Sequence, residues 1–256
     1  MRWSEPKTRR RLTFRPVTSA AASEPIDPEP IEARPPRWVL PVALVPIITM
    51  LIAGYIAGAS WPALLENHPL LLIALSPINR FLLLATQSVR WPAYFSVGLI
   101  RHLIPDPFFY MLGWFYGDKA LAWAVETYPS VHRVVGADGK GLEDPAHRKI
   151  LYPLAFFAPN NWVSLLSGVA RIRLRVFIVL NVTGTIARLA LCWWLGKVFS
   201  HQVKAVAKFV SDYQWPATII SVIVVLLTIA FQFRRGSGQL VGLAKLSEEL
   251  DEDVPS

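Results

Sequence analysis

Long uncharged runs dominate the chain and predict membrane-spanning helices. Residues 38–58 carry no charged side chain, and the uncharged run continues to Leu65. Residues 213–233 form a second such run, which is rich in Ile and Val and is closed by Arg234 and Arg235. At 1.5 Å per residue, each run is long enough to cross about 30 Å of hydrocarbon. We therefore expect the first and the last membrane helix at these two places.

The middle of the chain predicts two further spans, which are less pure. Residues 176–196 are apolar except for Arg188. Residues 92–123 are also mainly apolar, but Asp106, with Pro105 and Pro107 on either side, interrupts them. Proline removes a backbone donor and clashes with the preceding turn, so a helix here should break near its centre. The pattern thus predicts an all-α integral membrane protein with about four transmembrane helices.

Two other apolar segments are poor candidates for simple spanning helices. Residues 70–89 carry Pro77 and Arg80 at their middle, and residues 151–170 are interrupted by Pro159 and two asparagines. A break halfway along an apolar segment favours a re-entrant hairpin, whose polar tip must be buried in protein or face a watery cavity. We expect two such hairpins that enter from opposite sides. Kinked spanning helices are the alternative, since membrane helices tolerate proline.

Composition excludes several classes of protein. Of the 256 residues, 53% are hydrophobic and only 17% are charged, whereas a soluble domain carries about 25% charged residues. The single cysteine, Cys192, cannot form an intrachain disulfide or a cysteine cage for a metal. The five histidines have no metal-ligand spacing. We therefore expect no enzyme activity, no cofactor and no metal.

The distribution of charge predicts the topology. Residues 1–37 are proline-rich and hold eight basic and five acidic side chains, which is typical of a disordered basic tail. The positive-inside rule makes this tail cytoplasmic, together with residues 126–150, an arginine cluster after residue 170, and the C-terminal tail over residues 234–256. Residues 38–233 form the polytopic domain between the tails. This arrangement predicts a multi-pass protein of the cell membrane, most simply the bacterial plasma membrane.

One basic segment counts against this topology. The lysine-containing loop over residues 197–212 is left outside by the four-span arrangement. Four apolar side chains recur there at helical spacing: Val203, Val206, Phe209 and Val210. The segment is therefore predicted to be an amphipathic helix in the membrane interface.

Ionisable side chains at membrane depth are the first candidates for function. A charge at the bilayer centre costs about 2.5–3.5 kcal/mol, so Arg80, Arg101, Asp106 and Arg188 should face the protein interior or a cavity. Arg101 and Asp106 are close in sequence, and a structural ion pair between them is the alternative to a functional role. Arg80 and Arg188 have no acid nearby in sequence, which favours an anionic ligand such as a phosphate headgroup.

Polar and basic residues elsewhere add two candidate contacts. Asn160 and Asn161 follow Pro159, where their amides can cap backbone groups or bind a polar ligand. Arg171, Arg173 and Arg175 lie between two membrane segments, so we expect them to contact anionic lipid headgroups and not nucleic acid. The substrate-binding candidates are thus Arg80, Arg101, Asp106, Asn160, Asn161 and Arg188, and the headgroup-contacting candidates are Arg171, Arg173 and Arg175.

Two glycine pairs predict close helix packing. Gly54 with Gly58, and Gly113 with Gly117, have the small-xxx-small spacing that lets helices approach closely. We expect these residues to serve packing and not ligand binding.

Two motifs stand in order along the middle of the chain. The first runs from Asp106 through Tyr110 and Gly113 to Gly117, in the pattern D-x-x-x-Y-x-x-G-x-x-x-G, and the second covers residues 156–177, followed by Asn181-Val-Thr-Gly184. Over about residues 66–197 the chain thus resembles the DedA family, also called the VTT or SNARE-associated Golgi protein domain. The second motif looks like the family's second hairpin and the helix after it.

The chain also departs from the family pattern at its charges. Where bacterial members commonly place a glutamate after the first hairpin's proline, this chain reads Pro77-Ile-Asn79-Arg80. Asparagines follow Pro159 where the family has an arginine, and Arg188 stands where a tryptophan is usual. Proton coupling through the glutamate therefore cannot be carried over.

The resemblance implies lipid handling. The expected function is a flippase or scramblase that moves an anionic phospholipid or a polyprenyl phosphate carrier across the membrane. A cationic midplane between two broken hairpins agrees with this, since it would offer a polar path to an anionic headgroup. The alternatives are a membrane scaffold or homeostasis factor that transports nothing, and an ion-coupled small-solute transporter. Membrane lipids are the expected partners, nucleic acid is not, and a homo-oligomer is compatible with the sequence.

Overall fold

The computed structural model describes residues 36, 38–127, 131, 134–135, 142, 145–236 and 238–251. Within these residues every regular element is a helix, which confirms the predicted all-α class. The predicted disordered tail over residues 1–37 lies, apart from Pro36, outside the described residues.

Eleven helices follow one another in the described part of the chain. In order they are α1 Val39–Asn67, α2 Pro69–Leu75, α3 Asn79–Ala85, α4 Trp91–Leu103, α5 Asp106–Thr127, α6 Pro145–Phe157, α7 Asn161–Val169, α8 Leu174–Val198, α9 Ser200–Asp212, α10 Gln214–Arg235 and α11 Gln239–Asp251.

Three helices among the described residues are long and apolar enough to cross a membrane. They are α1, α8 and α10, and they coincide with three of the four predicted spans. The fourth predicted span, residues 92–123, is instead divided between α4 and α5. The chain breaks at Pro105, as predicted, and α5 bends again at Gly117, whose φ of 38° is not helical. Neither helix is among the three long apolar ones, so the count of four is not reproduced.

The two predicted hairpin segments are both broken helices. Residues 76–78 separate α2 from α3, and residues 158–160 separate α6 from α7. Ser76 and Ile78 are extended on either side of Pro77, and the two halves of each pair contact one another. The positions of both breaks are confirmed. Each segment thus has two short helices and a non-helical tip.

The closest helix crossing joins α5 to α7 through two glycines. A Cβ atom at Gly113 would collide with the carbonyl oxygen of Leu165, and one at Gly168 would collide with that of Tyr110. The prediction of close packing at Gly113 is therefore correct. It is wrong at Gly117 and Gly54, where a Cβ atom would meet no heavy atom within 4 Å. Gly117 serves the bend, since its positive φ is a region that favours glycine.

The largest buried cluster surrounds this crossing. It contains residues of α1, α5, α6 and α7, and it includes Leu243 and Leu246 of α11. The predicted C-terminal tail therefore contains a helix that packs on the membrane domain. A second cluster joins Ile73 and Leu82 of the first broken pair to Tyr94 and Leu189, so α4 and α8 hold that pair in place.

Two further helices lie at the periphery. The predicted amphipathic segment is confirmed as a helix, α9, in which Val210 is buried and Phe209 is exposed. No residue of α10 is buried. Two hydrogen bonds connect α10 to α1: Trp61 donates to Ser221 and Tyr55 donates to Gln232, both at 3.0 Å. The helix also packs along α1, and most of its large apolar side chains are exposed.

Candidate functional site

A cavity of about 490 Å³ lies between the tips of the two broken helix pairs. The first tip contributes Ser76, Pro77 and Ile78, and the second contributes Pro159 and Asn160. Helices α1, α4, α5, α7, α8 and α11 and the connection between α4 and α5 supply the remaining walls, with the lining residues Ile47, Met50, Leu51, Gly54, Tyr55, Arg101, His102, Pro105, Asp106, Phe109, Asn161, Arg188 and Leu243. Ile78 and Asn160 are exposed, so the cavity opens to the surface at the tips.

Asp106 is buried at the break between α4 and α5, with 5% of its surface exposed. One carboxylate oxygen accepts a hydrogen bond of 2.8 Å from Ser164 of α7, and the other accepts one of 2.6 Å from Asn181 of α8. The predicted alternative of an ion pair with Arg101 is wrong, because two neutral donors satisfy the carboxylate. Asp106 therefore ties three helices together at the wall of the cavity.

Arg101 bonds to backbone carbonyl groups of two other helices, α1 and α2. Its Nη2 donates hydrogen bonds to the carbonyl oxygens of Met50 at 3.2 Å and of Leu75 at 2.8 Å. Leu75 is the last residue of α2, whose final carbonyl groups lack intrahelical donors. The guanidinium group therefore closes the end of a half-helix while it also lines the cavity.

Arg188 connects the two tips directly. Its Nε donates to the side-chain oxygen of Asn79 at 2.8 Å, and its Nη1 lies 3.4 Å from the carbonyl oxygen of Pro159. Asn79 begins α3 and Pro159 lies in the second tip, so one side chain on α8 fixes both breaks. The placement of Arg188 at a cavity, predicted from the sequence, is confirmed.

The asparagines of the second tip line the cavity and also cap a helix. The side-chain oxygen of Asn160 accepts a hydrogen bond of 2.8 Å from the backbone N–H of Asn161, at the start of α7. The capping role predicted as one alternative is thus confirmed for Asn160. A ligand-binding role for either amide stays a prediction.

His102 contributes an unpartnered nitrogen to the site. Its Nε2 is buried and has no hydrogen-bond partner within the described part of the chain. A buried polar atom without a partner costs free energy comparable to a lost hydrogen bond. Since His102 lines the cavity, a molecule bound there can supply the missing partner.

Arg80 lies outside the site, which corrects the prediction that it faces the interior or a cavity. Its side chain is exposed, and its guanidinium carbon lies 4.7 Å from the centre of the Phe81 ring. The adjacent residue, Asn79, points to the site instead and accepts from Arg188. A shift of one position along α3 turns a side chain by about 100°, which explains the difference.

The arginine cluster is separate from the tip cavity. Arg171 and Arg173 line a second cavity of about 480 Å³, together with Lys149, Tyr152, Ala170, Ile172 and Val176. Arg175 is exposed and does not line it. The three arginines predicted to act together therefore divide into two that share a cavity and one that does not.

Sequence reasoning missed several residues of the site. Ser164, Asn181 and Asn79 make the hydrogen bonds that organise Asp106 and Arg188. Asn181 carried a usable signal, since an amide inside an apolar helix needs a partner. Ser164 carried none, because serine is common in membrane helices and bonds readily to its own backbone.

No family model, curated relative or solved structure matches this chain. The resemblance to the DedA family therefore stays a prediction that rests on the motifs around Asp106 and Pro159.

Proposed function

We propose that the chain is a lipid transporter of the DedA type, which carries an anionic headgroup through the cavity between its two tips. The observation that carries the proposal is the composition of that cavity. Arg101 and Arg188 line it with a single carboxylate, that of Asp106. An excess of positive charge at membrane depth is costly unless an anion neutralises it.

The arginines keep donors for such an anion. A guanidinium group has five N–H donors, and the hydrogen bonds within the described residues use Nη2 of Arg101 and Nε and Nη1 of Arg188. Phosphate oxygens accept several charge-assisted hydrogen bonds at once, which matches this donor set.

The apolar wall of the cavity suits the remainder of a lipid. Ile47, Met50 and Leu51 of α1 line the cavity together with the charged residues, and Phe109 and Leu243 add to this apolar lining. A site with both cationic and apolar side chains favours an amphiphile over a small hydrophilic solute. Ion-coupled transport of a small solute is therefore the weaker alternative.

In the proposed topology the two broken helix pairs are re-entrant hairpins that enter from opposite sides, and α4 with α5 completes a fourth crossing. Both chain termini are then cytoplasmic. This arrangement is supported by the convergence of both tips on Arg188, because hairpins that enter from opposite sides meet near the bilayer midplane. The membrane is the bacterial plasma membrane in this proposal.

Reconstitution into liposomes tests the proposal. Vesicles contain trace fluorescent phosphatidylglycerol or phosphatidylcholine labelled at the headgroup, and a membrane-impermeant reductant bleaches the label in the outer leaflet. We expect the protein to raise the fraction of phosphatidylglycerol that is bleached above that of empty vesicles. Equal bleaching with and without protein, for both lipids and for a labelled polyprenyl phosphate, would favour the scaffold alternative and contradict transport.

A further inference from the structure

The second cavity has a cationic lining of its own. Lys149 of α6 and Arg171 and Arg173 of the α7–α8 connection line it, and the described residues around it contribute no carboxylate. We propose that this cavity binds the phosphate group of an anionic lipid at the membrane surface, as a site distinct from the tip cavity. Three converging cations are the recognition chemistry that a phosphate group requires.

The backbone of Arg171 supplies an independent observation. Arg171 follows the C-cap of α7 and has a φ of 54°, in the left-handed region. Its N–H donates to the carbonyl oxygen of Gly168, and the N–H of Ile172 donates to that of Ser167, both at 3.0 Å. This pair of bonds defines a Schellman motif, in which glycine is the usual residue at the position of Arg171.

An arginine at a glycine position is strained, and such strain points to a role for its side chain. The guanidinium carbon of Arg171 lies 4.5 Å from the centre of the Trp114 ring. This contact holds the side chain of Arg171, a residue that also lines the cavity. The local fold therefore fixes the position of one of the three cations.

The surroundings favour a lipid over a soluble phosphate. Arg173 is immediately followed by α8, a helix long and apolar enough to span a membrane, which places the cations at the level where headgroups lie. Tyr152 and Val176 line the cavity beside them and are 40% and 38% exposed. The ligand thus meets both cationic and apolar side chains in this cavity.

Native mass spectrometry of the purified full chain in detergent tests this site. The protein carries Arg188→Gln so that the tip cavity contributes little to lipid binding. It is titrated with phosphatidylglycerol or with phosphatidylcholine of the same chain length. We expect the phosphatidylglycerol complex to weaken about tenfold in Arg171→Gly and in Arg173→Gln, the loss of one charge-assisted contact. Arg171→Gly should not lower the thermal unfolding midpoint, because glycine relieves the strained backbone.

Arg175→Gln is the matched control, since this neighbouring arginine does not line the cavity. It should bind phosphatidylglycerol as the parent protein does. An equal loss in Arg175→Gln, or no loss in Arg171→Gly and Arg173→Gln, would overturn the proposal. Inorganic phosphate at the same concentration should displace little lipid. Full displacement would assign the site to a soluble phosphate and overturn the lipid as its ligand.

Discussion

The carboxylate of Asp106 is held by neutral donors from two other helices, Ser164 on α7 and Asn181 on α8. Such a carboxylate accepts hydrogen bonds and cannot donate any. Replacement by asparagine keeps the size but turns one of the two accepting oxygens into an NH₂ donor, so the hydrogen bond from Ser164 or the one from Asn181 is lost. We expect Asp106→Asn to lower the free energy of unfolding by about 1–3 kcal/mol, the cost of an unsatisfied buried group. Unfolding of the purified protein in detergent measures this change in the free energy of unfolding.

The reciprocal exchange provides the control for that change. In Asp106→Asn combined with Asn181→Asp, the amide again faces a carboxylate, so the double variant should regain at least half of the lost stability. If the double variant is as unstable as the sum of the two single ones, the hydrogen bond between these side chains does not organise the site.

Gly113 tests the close crossing of α5 and α7. A methyl group there would collide with the carbonyl oxygen of Leu165, so we expect Gly113→Ala to destabilise the protein by about 1–3 kcal/mol. Gly54→Ala is the matched control, since a Cβ atom at Gly54 meets nothing within 4 Å. It should not lower stability, since alanine is a better helix former than glycine. Similar melting curves for the two variants would refute the close crossing.

At the residue scale, the sequence predicted which side chains would be buried better than which partners they would have. The cost of burying a charge predicted correctly that Asp106 would face the interior and that Arg188 would line a cavity. Arg101 was the nearest opposite charge in sequence, yet the chain turns at Pro105, and Arg101 bonds to Met50 and Leu75 instead. Partners set by helix crossings between distant segments leave no local signal.

At the scale of helices, the two interrupted segments were predictable because proline acts locally. Pro77 and Pro159 each remove a backbone donor, and the structure breaks at both. The meeting of the two tips was not predictable from either segment alone. It depends on Arg188, which lies on a third helix and bonds to both tips.

The first broken pair, α2 and α3, should be re-entrant. Glu66 and Arg90 flank this pair and are both exposed, and in a hairpin they lie on the same side of the membrane. With Cys192 replaced by alanine, single cysteines at these two positions should therefore react alike with an impermeant thiol reagent in intact cells. Labelling of one position and protection of the other would show that the segment crosses the membrane.

At the scale of the whole molecule, the sequence predicted four spans and the structure has three helices with the length and apolarity of a span, within the described residues. The difference lies in residues 92–123, where Pro105 and Gly117 interrupt the helix. Apolar composition alone does not distinguish a broken helix that crosses the membrane from one that does not, so accessibility labelling on either side of the segment is the measurement that decides.

The even number of crossings in the proposed topology leaves both termini in the cytoplasm. Cysteines introduced at Ser23 and at Ser247 should both be protected from an impermeant thiol reagent in intact cells, and one at Asn67 should be labelled. Permeabilised cells provide the control, since all three positions should then react. Labelling of Ser23 or of Ser247 in intact cells would contradict four crossings.

A comparison of two arginines, one inside the tip cavity and one outside it, tests most directly whether this cavity carries the anionic headgroup. Arg188 lines the cavity, whereas Arg80 is exposed outside it. In the liposome assay, Arg188→Gln should abolish phosphatidylglycerol movement, Arg188→Lys should retain part of it, and Arg80→Gln should match the unaltered protein. Full transport by Arg188→Gln at equal amounts of reconstituted protein, or loss in Arg80→Gln alone, would contradict the account.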